Sequence, residues 1–299
     1  MINDTMLVQT LGYVFLFISG AFIGSFLNVV SDRLINKKSI IFGRSICEFC
    51  EKELGVLELV PVVSFLIQRG KCKLCNKELS LYYPTSEVLT GLMFVGAAFL
   101  TNVFTNSSPV TWVSFFYLAI VGCIYIILLL TDLKYRILPN RIVFPAIIFV
   151  VLYLVITSAF YLYSLRQNLL ADDFGKYLLE VGYFDLQIQY TLTYLGYTFL
   201  SSLAIGLFFW ILFMITRGRG MGGGDIKLAL LIGLFNGFPT NIVGIVIVFL
   251  SGCIFSIFML LIRKRKLKDT IPFGPFLILG SVVALVFGQQ LLSLYLNLL

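Results

Sequence analysis

Apolar runs of about 20 residues recur along this chain, and each is long enough to cross the hydrocarbon core of a bilayer as a helix. The first extends from Leu7 to Val30 without a charged residue, and six more of comparable length follow. Hydrophobic residues make up 59% of the chain, charged residues 12%, and the mean hydropathy is +0.98. These features predict an all-α polytopic membrane protein, not a soluble domain.

One apolar run is shorter than the others. Leu228 to Phe235 is followed at once by the break Asn236–Asn241, so it either crosses as a thin helix or re-enters the membrane. Counting it as a crossing gives about eight transmembrane helices with both termini outside. The other six predicted runs are Thr85–Phe104, Trp112–Leu130, Ile142–Tyr163, Tyr190–Ile215, Ile242–Ile262 and Phe273–Leu296.

The basic residues predict the orientation. Of 22 Lys and Arg residues, 20 fall in the loops that this layout places in the cytoplasm, whereas residues 164–189 form an acidic linker outside. Membrane topology thus accounts for the net charge of +7, and we expect no nucleic-acid partner. We divide the chain into a first transmembrane helix, 1–30, a cytoplasmic loop domain, 31–84, and a membrane core, 85–299.

Four of the six cysteines form two Cys-x-x-Cys pairs separated by 21 residues. This spacing is typical of a four-thiolate zinc site, and a polar loop too small for a core of its own needs such a cross-link. A tetrathiolate site has no open position for water, so its role is structural. A redox function is the alternative, but the βαβ context of thioredoxin-like proteins is missing. The predicted ligands are Cys47, Cys50, Cys72 and Cys75.

Two aspartates lie where apolar runs meet polar links on the cytoplasmic side, Asp132 and Asp225. The chain has no His, which excludes His-dependent zinc proteases and Ser–His catalysis. Two close carboxylates cannot both ionise cheaply, so a pair shares one proton and can act as base and acid on a peptide bond. Glycines before Asp225 let a substrate backbone approach, and Lys227 either holds phosphate or lipid head groups or tunes Asp225. The predicted supporting residues are Gly222, Gly223, Gly224 and Lys227.

Each aspartate, taken alone, also has an ordinary structural explanation. Asp132 would be an interfacial residue, and Asp225 would be the N-cap of a helix after a glycine-rich turn. Glu87 has a similar explanation as a carboxylate favoured by the dipole at a helix start.

Over almost its whole length the sequence resembles the type IV prepilin peptidases. The two aspartate motifs, TDLKYRILPN and GMGGGDIK, carry the resemblance together with the cysteine-bearing loop. The other matching segments are GAFIGSFLNVVSDRL, RGKCKLC, SLYYPTSEVLTG and IPFGPFLILG.

This resemblance implies a membrane aspartyl endopeptidase that removes the basic leader of prepilins or pseudopilins, after a glycine, at the cytoplasmic membrane face. It implies that Asp132 and Asp225 are the catalytic carboxylates. Many members also methylate the new N-terminal amine with S-adenosylmethionine, an activity linked to the region that contains the cysteine loop. The expected partners are therefore prepilins and the lipid bilayer.

A membrane transporter is the alternative from another class. Paired membrane aspartates also relay protons or bind cations, and the cysteine loop would then sense a metal. Transport carboxylates lie near the midplane of the bilayer, between repeats, whereas both aspartates here lie at the ends of apolar runs. The peptidase hypothesis is therefore favoured.

Overall fold

The computed structural model describes residues 2–40, 42–47, 49–218, 221–262 and 272–298. Within these ranges the protein is helical and contains no β-strand, only two isolated bridges. Besides a 3-10 turn, Val56–Leu59, the helices are α1 (Ile2–Ile35), α2 (Val63–Ile67), α3 (Tyr82–Thr101), α4 (Pro109–Tyr135), α5 (Asn140–Leu170), α6 (Asp173–Glu180), α7 (Tyr183–Thr216), α8 (Gly223–Asn236), α9 (Thr240–Leu261) and α10 (Gly274–Leu296).

The predicted all-α membrane architecture is confirmed. Seven helices of the described residues, α1, α3, α4, α5, α7, α9 and α10, are long and apolar enough to cross a membrane. The acidic segment 164–189, predicted to be a linker, is largely helical, because α5 extends to Leu170 and α6 and the start of α7 follow. The predicted cytoplasmic basic run from Arg263 to Lys268, and Arg219, lie outside the described residues.

The short eighth segment forms one continuous helix, α8, of 14 residues. At about 1.5 Å per residue it is roughly 21 Å long, less than the hydrocarbon core of about 30 Å. Leu228, Ala229, Leu231 and Ile232 are fully buried, since α5, α7, α9 and α10 all contact it. Residues 228–235 of this helix are apolar on all sides, as expected of a core helix surrounded by other helices.

Contacts divide the chain into two compact units, Met1–Pro139 and Asn140–Leu299. In the first unit, α1 packs along α3, and both contact α4. Gly24 is required by this packing, because a Cβ there would lie 2.9 Å from the Glu87 Cα on α3. The buried Ser86 hydroxyl on α3 also donates to the Asn28 amide oxygen on α1 at 2.8 Å. The close approach of α1 and α3 thus follows from small and polar residues facing each other.

In the second unit, α7 and the buried α8 are held together by a direct polar contact. The Ser202 hydroxyl on α7 donates to the Leu230 carbonyl at 2.8 Å, and Gly233 leaves no room for a side chain next to Ser202. Helix α5 begins at the residue directly after Pro139. A proline disfavours helical geometry in the residue that precedes it. The second unit therefore begins at a well-defined helix start that belongs to the TDLKYRILPN motif.

Candidate active site and metal centre

The two Cys-x-x-Cys segments fold into hairpins of the same shape. The N–H of Cys47 donates to the Lys52 carbonyl at 3.0 Å, and the N–H of Cys72 donates to the Lys77 carbonyl at 2.9 Å. In both hairpins the residue after the second cysteine has a left-handed conformation, with φ of 55° and 56°. The turn in each hairpin places the two cysteine thiols of that hairpin on the same side of it.

The shared shape is visible in the sequence as a local repeat. Residues 47–54 read CEFCEKEL and residues 72–79 read CKLCNKEL, 25 positions apart. The repeat extends beyond the cysteines themselves to the Lys-Glu-Leu that follows each pair.

The four predicted metal ligands are brought together. The sulfur atoms of Cys47, Cys50, Cys72 and Cys75 all lie within 4.8 Å of one another. Ligands at a Zn–S distance of about 2.3 Å in a tetrahedron are separated by about 3.8 Å, so the cluster is the right size for a single metal ion. All six cysteines are free of disulfides. The cluster can therefore hold a metal.

The Cys75 thiol is protonated at neutral pH when no metal is bound. The Lys77 N–H lowers the pKa of this thiol, but desolvation and the three neighbouring thiols raise it, to about 11 in all. A metal ion must therefore displace this proton when it binds.

Asp132 lies in the last turn of α4 and is only 6% exposed. Its carbonyl accepts the Arg136 N–H at 2.9 Å, and Arg136 ends the helix in a left-handed conformation. The carboxylate is therefore a buried group at a helix C-terminus, where the helix dipole disfavours negative charge.

Asp225 lies in the first turn of α8 and is 8% exposed. The hypothesis that it is the N-cap is wrong, because Gly222 is the N-cap and Asp225 is the third helical residue. One carboxylate oxygen accepts the Gly222 N–H at 3.0 Å. This bond and the helix dipole both favour the negative charge.

Two of the glycines before Asp225, Gly222 and Gly223, are not explained by conformation or by internal packing. Gly222 has φ of −81°, which any residue adopts. No described atom lies within 4 Å of a Cβ built on Gly223. The remaining explanation for these glycines is that another molecule approaches the backbone from outside, since a glycine backbone can be approached more closely than any other.

Lys227 connects α8 to the start of α5. Its ammonium group donates to the Asn140 side-chain oxygen at 2.8 Å and lies 5.1 Å from the centre of the Phe144 ring. Asn140 is the last residue of the TDLKYRILPN motif and the first of α5. The lysine of one aspartate motif is thus bound by the asparagine of the other.

Sequence reasoning missed a cavity of about 510 Å³ in the first unit, between α1, the cysteine-bearing loop and α3. One face of α1, continued by the residue that follows the helix, lines it with Ser25, Asn28, Asp32 and Asn36. Their spacing of three, four and four residues places them on one side of a helix. This polar stripe at the end of an apolar run was the signal in the sequence.

Glu87 also lines this cavity and is 8% exposed. It does not lie in the first turn of α3, so the explanation by the dipole of a helix start is wrong. Its carboxylate accepts the N–H of Val62, in the cysteine-bearing loop, at 2.7 Å. Glu87 therefore ties that loop to α3.

Comparison with known families covers most of the chain. Residues 18–101 match the Bacterial Peptidase A24 N-terminal domain, and residues 119–260 match the Type IV leader peptidase family. The first range contains the four cysteines, and the second contains both aspartates. No solved structure matches the chain significantly.

Three similar proteins are each named prepilin leader peptidase/N-methyltransferase. The protein from Bacillus subtilis is 29% identical over 94% of this chain and 97% of its own length. Those from Pseudomonas aeruginosa and Aeromonas salmonicida are each 27% identical, over 93% and 95% of this chain and 91% and 93% of their own lengths.

Proposed function

This chain belongs to the type IV leader peptidase family, and on that premise we propose that it is a membrane aspartic endopeptidase acting on prepilins or pseudopilins. It removes the basic leader peptide and then methylates the new N-terminal amine. The observation that carries the proposal is the match of residues 119–260, which include both aspartates, to this peptidase family. The transporter alternative is not favoured, because both matching families are peptidase families.

Asp132 and Asp225 are the catalytic carboxylates of this proposal. Asp225, at a helix N-terminus and bonded to the Gly222 N–H, is the better place for the negative charge. Asp132, at a helix C-terminus, is the better place for the shared proton. Asp225 therefore takes a proton from water as the water oxygen attacks the scissile carbonyl, and Asp132 donates its proton to the carbonyl oxygen. The bond to the departing amine then breaks as that nitrogen takes the proton held by Asp225, and one hydroxyl of the intermediate returns its proton to Asp132.

The glycines at the start of α8 give the substrate access in this scheme. A leader peptide in extended form can lie against Gly223, because no described side chain lies within 4 Å of a Cβ built there. Gly224, the residue directly before Asp225, has no side chain of its own to obstruct this approach.

Zinc is the metal that we assign to the four thiols, with a structural role. A tetrathiolate set with thiols on two hairpins is the standard composition of structural zinc sites. When bound, S-adenosylmethionine supplies an activated methyl group, and the chain's own residues have to hold it beside the amine.

We place the active site at the cytoplasmic membrane face of the plasma membrane. Support comes from the basic loops, which by the positive-inside rule lie in the cytoplasm on the side of both aspartates. The three-part division at residues 30 and 84 depends on membrane placement and stays a prediction.

Product masses test the function directly. Purified protein incubated with a prepilin and S-adenosylmethionine is expected to release the leader and to add one methyl group to the shortened chain. Mass spectrometry distinguishes the two steps, and omission of S-adenosylmethionine is the control for the second. An unshortened prepilin would contradict the peptidase assignment.

Replacing Lys227 tests the connection between the two aspartate motifs. Lys227→Ala removes the bond to Asn140 and loosens the start of α8, so kcat/KM for cleavage should fall by about tenfold, the equivalent of one hydrogen bond to a charged group. The matched control is Lys176→Ala, an exposed lysine on α6 paired with Asp173. Unchanged cleavage would show that the bond is dispensable, and a loss as deep as that of Asp225→Asn would make Lys227 a catalytic residue.

A further inference from the structure

Helix α2, in the cysteine-bearing loop, turns its aliphatic side chains outward. Val63, Leu66 and Ile67 share one face of the helix by their spacing, and they are 49–77% exposed. Ser64 and Phe65, on the other side, line the cavity beside α1. The wholly aliphatic face of this helix thus points away from the protein interior, the reverse of a helix in a soluble domain.

The 3-10 turn before α2 enlarges this outward surface. Val56 and Leu57 are 82% and 84% exposed, and the turn that carries them contacts α2. Single exposed aliphatic side chains are common on protein surfaces, but a group of neighbours marks a surface that another molecule covers. We call this group the apolar patch of the loop; it consists of Val56, Leu57, Val63, Leu66 and Ile67.

One hydrogen bond fixes the position of α2 relative to the membrane-spanning helices. The N–H of Val62, the residue directly before α2, donates to the Glu87 carboxylate at 2.7 Å. Glu87 is the sixth residue of α3, a helix of membrane-spanning length, and lies about 7.5 Å along that helix from its start. The start of α2 is therefore held at the level of the first two turns of α3.

The charge of the loop also suits a membrane surface. Residues 31–84 carry nine Lys and Arg residues against six Asp and Glu residues. Arg69 and Lys71, which follow α2 directly, are both exposed. Basic side chains beside an apolar surface favour a bilayer that contains anionic lipids, and they disfavour a basic peptide as the partner.

We propose that the apolar patch of the loop enters the bilayer, in the leaflet where α1 ends and α3 begins. An apolar face of this kind lies about 5–10 Å deep, at the boundary between the headgroups and the acyl chains. The patch lies between the two hairpins in the chain, residues 47–54 and 72–79. Its insertion therefore keeps both hairpins, and the thiols that they carry, at the membrane surface. The proposal does not depend on the peptidase assignment.

Photo-cross-linking identifies the molecule that covers the patch. The full-length protein, with p-benzoylphenylalanine in place of Leu66, is reconstituted in vesicles of phosphatidylethanolamine and phosphatidylglycerol and irradiated. We expect the peptide that contains position 66 to gain the mass of one phospholipid. The matched control carries the same reporter in place of Ser64, on the cavity-lining side of α2, and should give no lipid adduct. Zinc content reports whether each protein is folded.

The other outcomes of this experiment contradict the proposal. Adducts from position 66 to residues 140–299, or to a second copy of the chain, would show that protein covers the patch. The absence of any adduct would show that the patch faces water. Lipid adducts as frequent from position 64 as from position 66 would show that α2 has no membrane-facing side.

Charged side chains in the patch provide a second test. Leu66→Glu combined with Ile67→Glu should leave the zinc content unchanged, because both side chains are exposed, but it disfavours insertion into lipid. In the same vesicles we expect trypsin to cleave after Arg69 at least about tenfold faster than in the wild type. Equal rates would overturn the proposal. If the double variant loses zinc, the cross-linking result alone decides.

The matched control for the double variant is Lys73→Glu. Lys73 is an exposed residue between the two cysteines of the second hairpin, outside the patch. Its replacement changes the charge of the loop without altering the patch, so cleavage after Arg69 should stay at the wild-type rate. An equal acceleration in Lys73→Glu would show that charge alone, not contact with lipid, controls the cleavage, and would contradict the proposal.

Discussion

We expect Asp132→Asn and Asp225→Asn each to reduce prepilin cleavage by at least about 10³-fold, the range lost with a general acid or base. In the proposed mechanism, each change removes either the group that takes the proton from water or the group that donates a proton to the scissile carbonyl. The double variant is expected to be no worse than either single variant, because groups that act as a unit are not additive.

These variants should remain folded. In Asp225→Asn the amide oxygen can still accept the Gly222 N–H, which holds the carboxylate at 3.0 Å in the wild type. At the end of α4 the backbone carbonyl of Asp132 accepts a hydrogen bond, and the substitution does not alter this carbonyl. Melting temperature and the elution volume of the purified variants check this.

Asp→Glu at either position should also nearly abolish cleavage. Both side chains are less than a tenth exposed, so an added methylene has little free space. It shifts the carboxylate by more than the roughly 0.5 Å that a catalytic site tolerates.

The matched control for the carboxylates is Asp173→Asn. Asp173 is a fully exposed residue on α6, with a side chain 98% accessible, and its replacement should leave cleavage unchanged. Cleavage by Asp225→Asn at a near wild-type rate would show that the aspartyl mechanism is wrong, and a Ser or Lys nucleophile would then have to be sought.

Loss of zinc has the second-largest expected effect. Cys47→Ser combined with Cys72→Ser should reduce zinc from about one ion per chain to none, since each hairpin loses one thiolate. The loop between α1 and α3 should then be cut by added protease at least about tenfold faster, because its local opening is no longer opposed by the metal.

The expected increase in protease cleavage is large because few other contacts stabilise the loop. The 3-10 turn Val56–Leu59 and helix α2 contain no buried residue. The other anchors are polar, the Arg33 bonds to loop carbonyls and the bond from Val62 to Glu87. Structural zinc contributes about 10–16 kcal/mol in zinc-finger peptides, far more than such bonds supply.

Cys253→Ser is the control for the zinc variant, because Cys253 is an exposed residue of α9 outside the cluster. It should retain the metal and the protease resistance of the loop. A wild-type preparation that is folded and active but contains no zinc would contradict the assignment.

Local sequence patterns were sufficient to predict several features. Cysteine spacing predicted the cluster of Cys47, Cys50, Cys72 and Cys75, because a Cys-x-x-Cys turn brings its own two thiols together without help from the rest of the fold. Apolar runs predicted the seven membrane-length helices of the described residues, because a helix satisfies its own backbone hydrogen bonds in lipid.

Features that depend on distant neighbours were not predicted. Apolar residues on all sides of α8 are equally typical of a membrane span and of a buried core helix. Only the packing of other helices around it distinguishes the two. The bond between Lys227 and Asn140 joins residues 87 positions apart, and no local pattern encodes such a pair.

The sequence by itself thus determined the helical membrane architecture, the thiol cluster and the two aspartates as candidate functional groups. These features depend on hydropathy and on the spacing of residues that are close together in the chain. Tertiary structure alone decided that Asp132 and Asp225 are buried at opposite kinds of helix terminus. It also decided that the polar stripe of α1 faces a cavity walled by α3 and the cysteine-bearing loop. Burial and cavities depend on which surfaces pack together, and side chains far apart in the chain decide that packing.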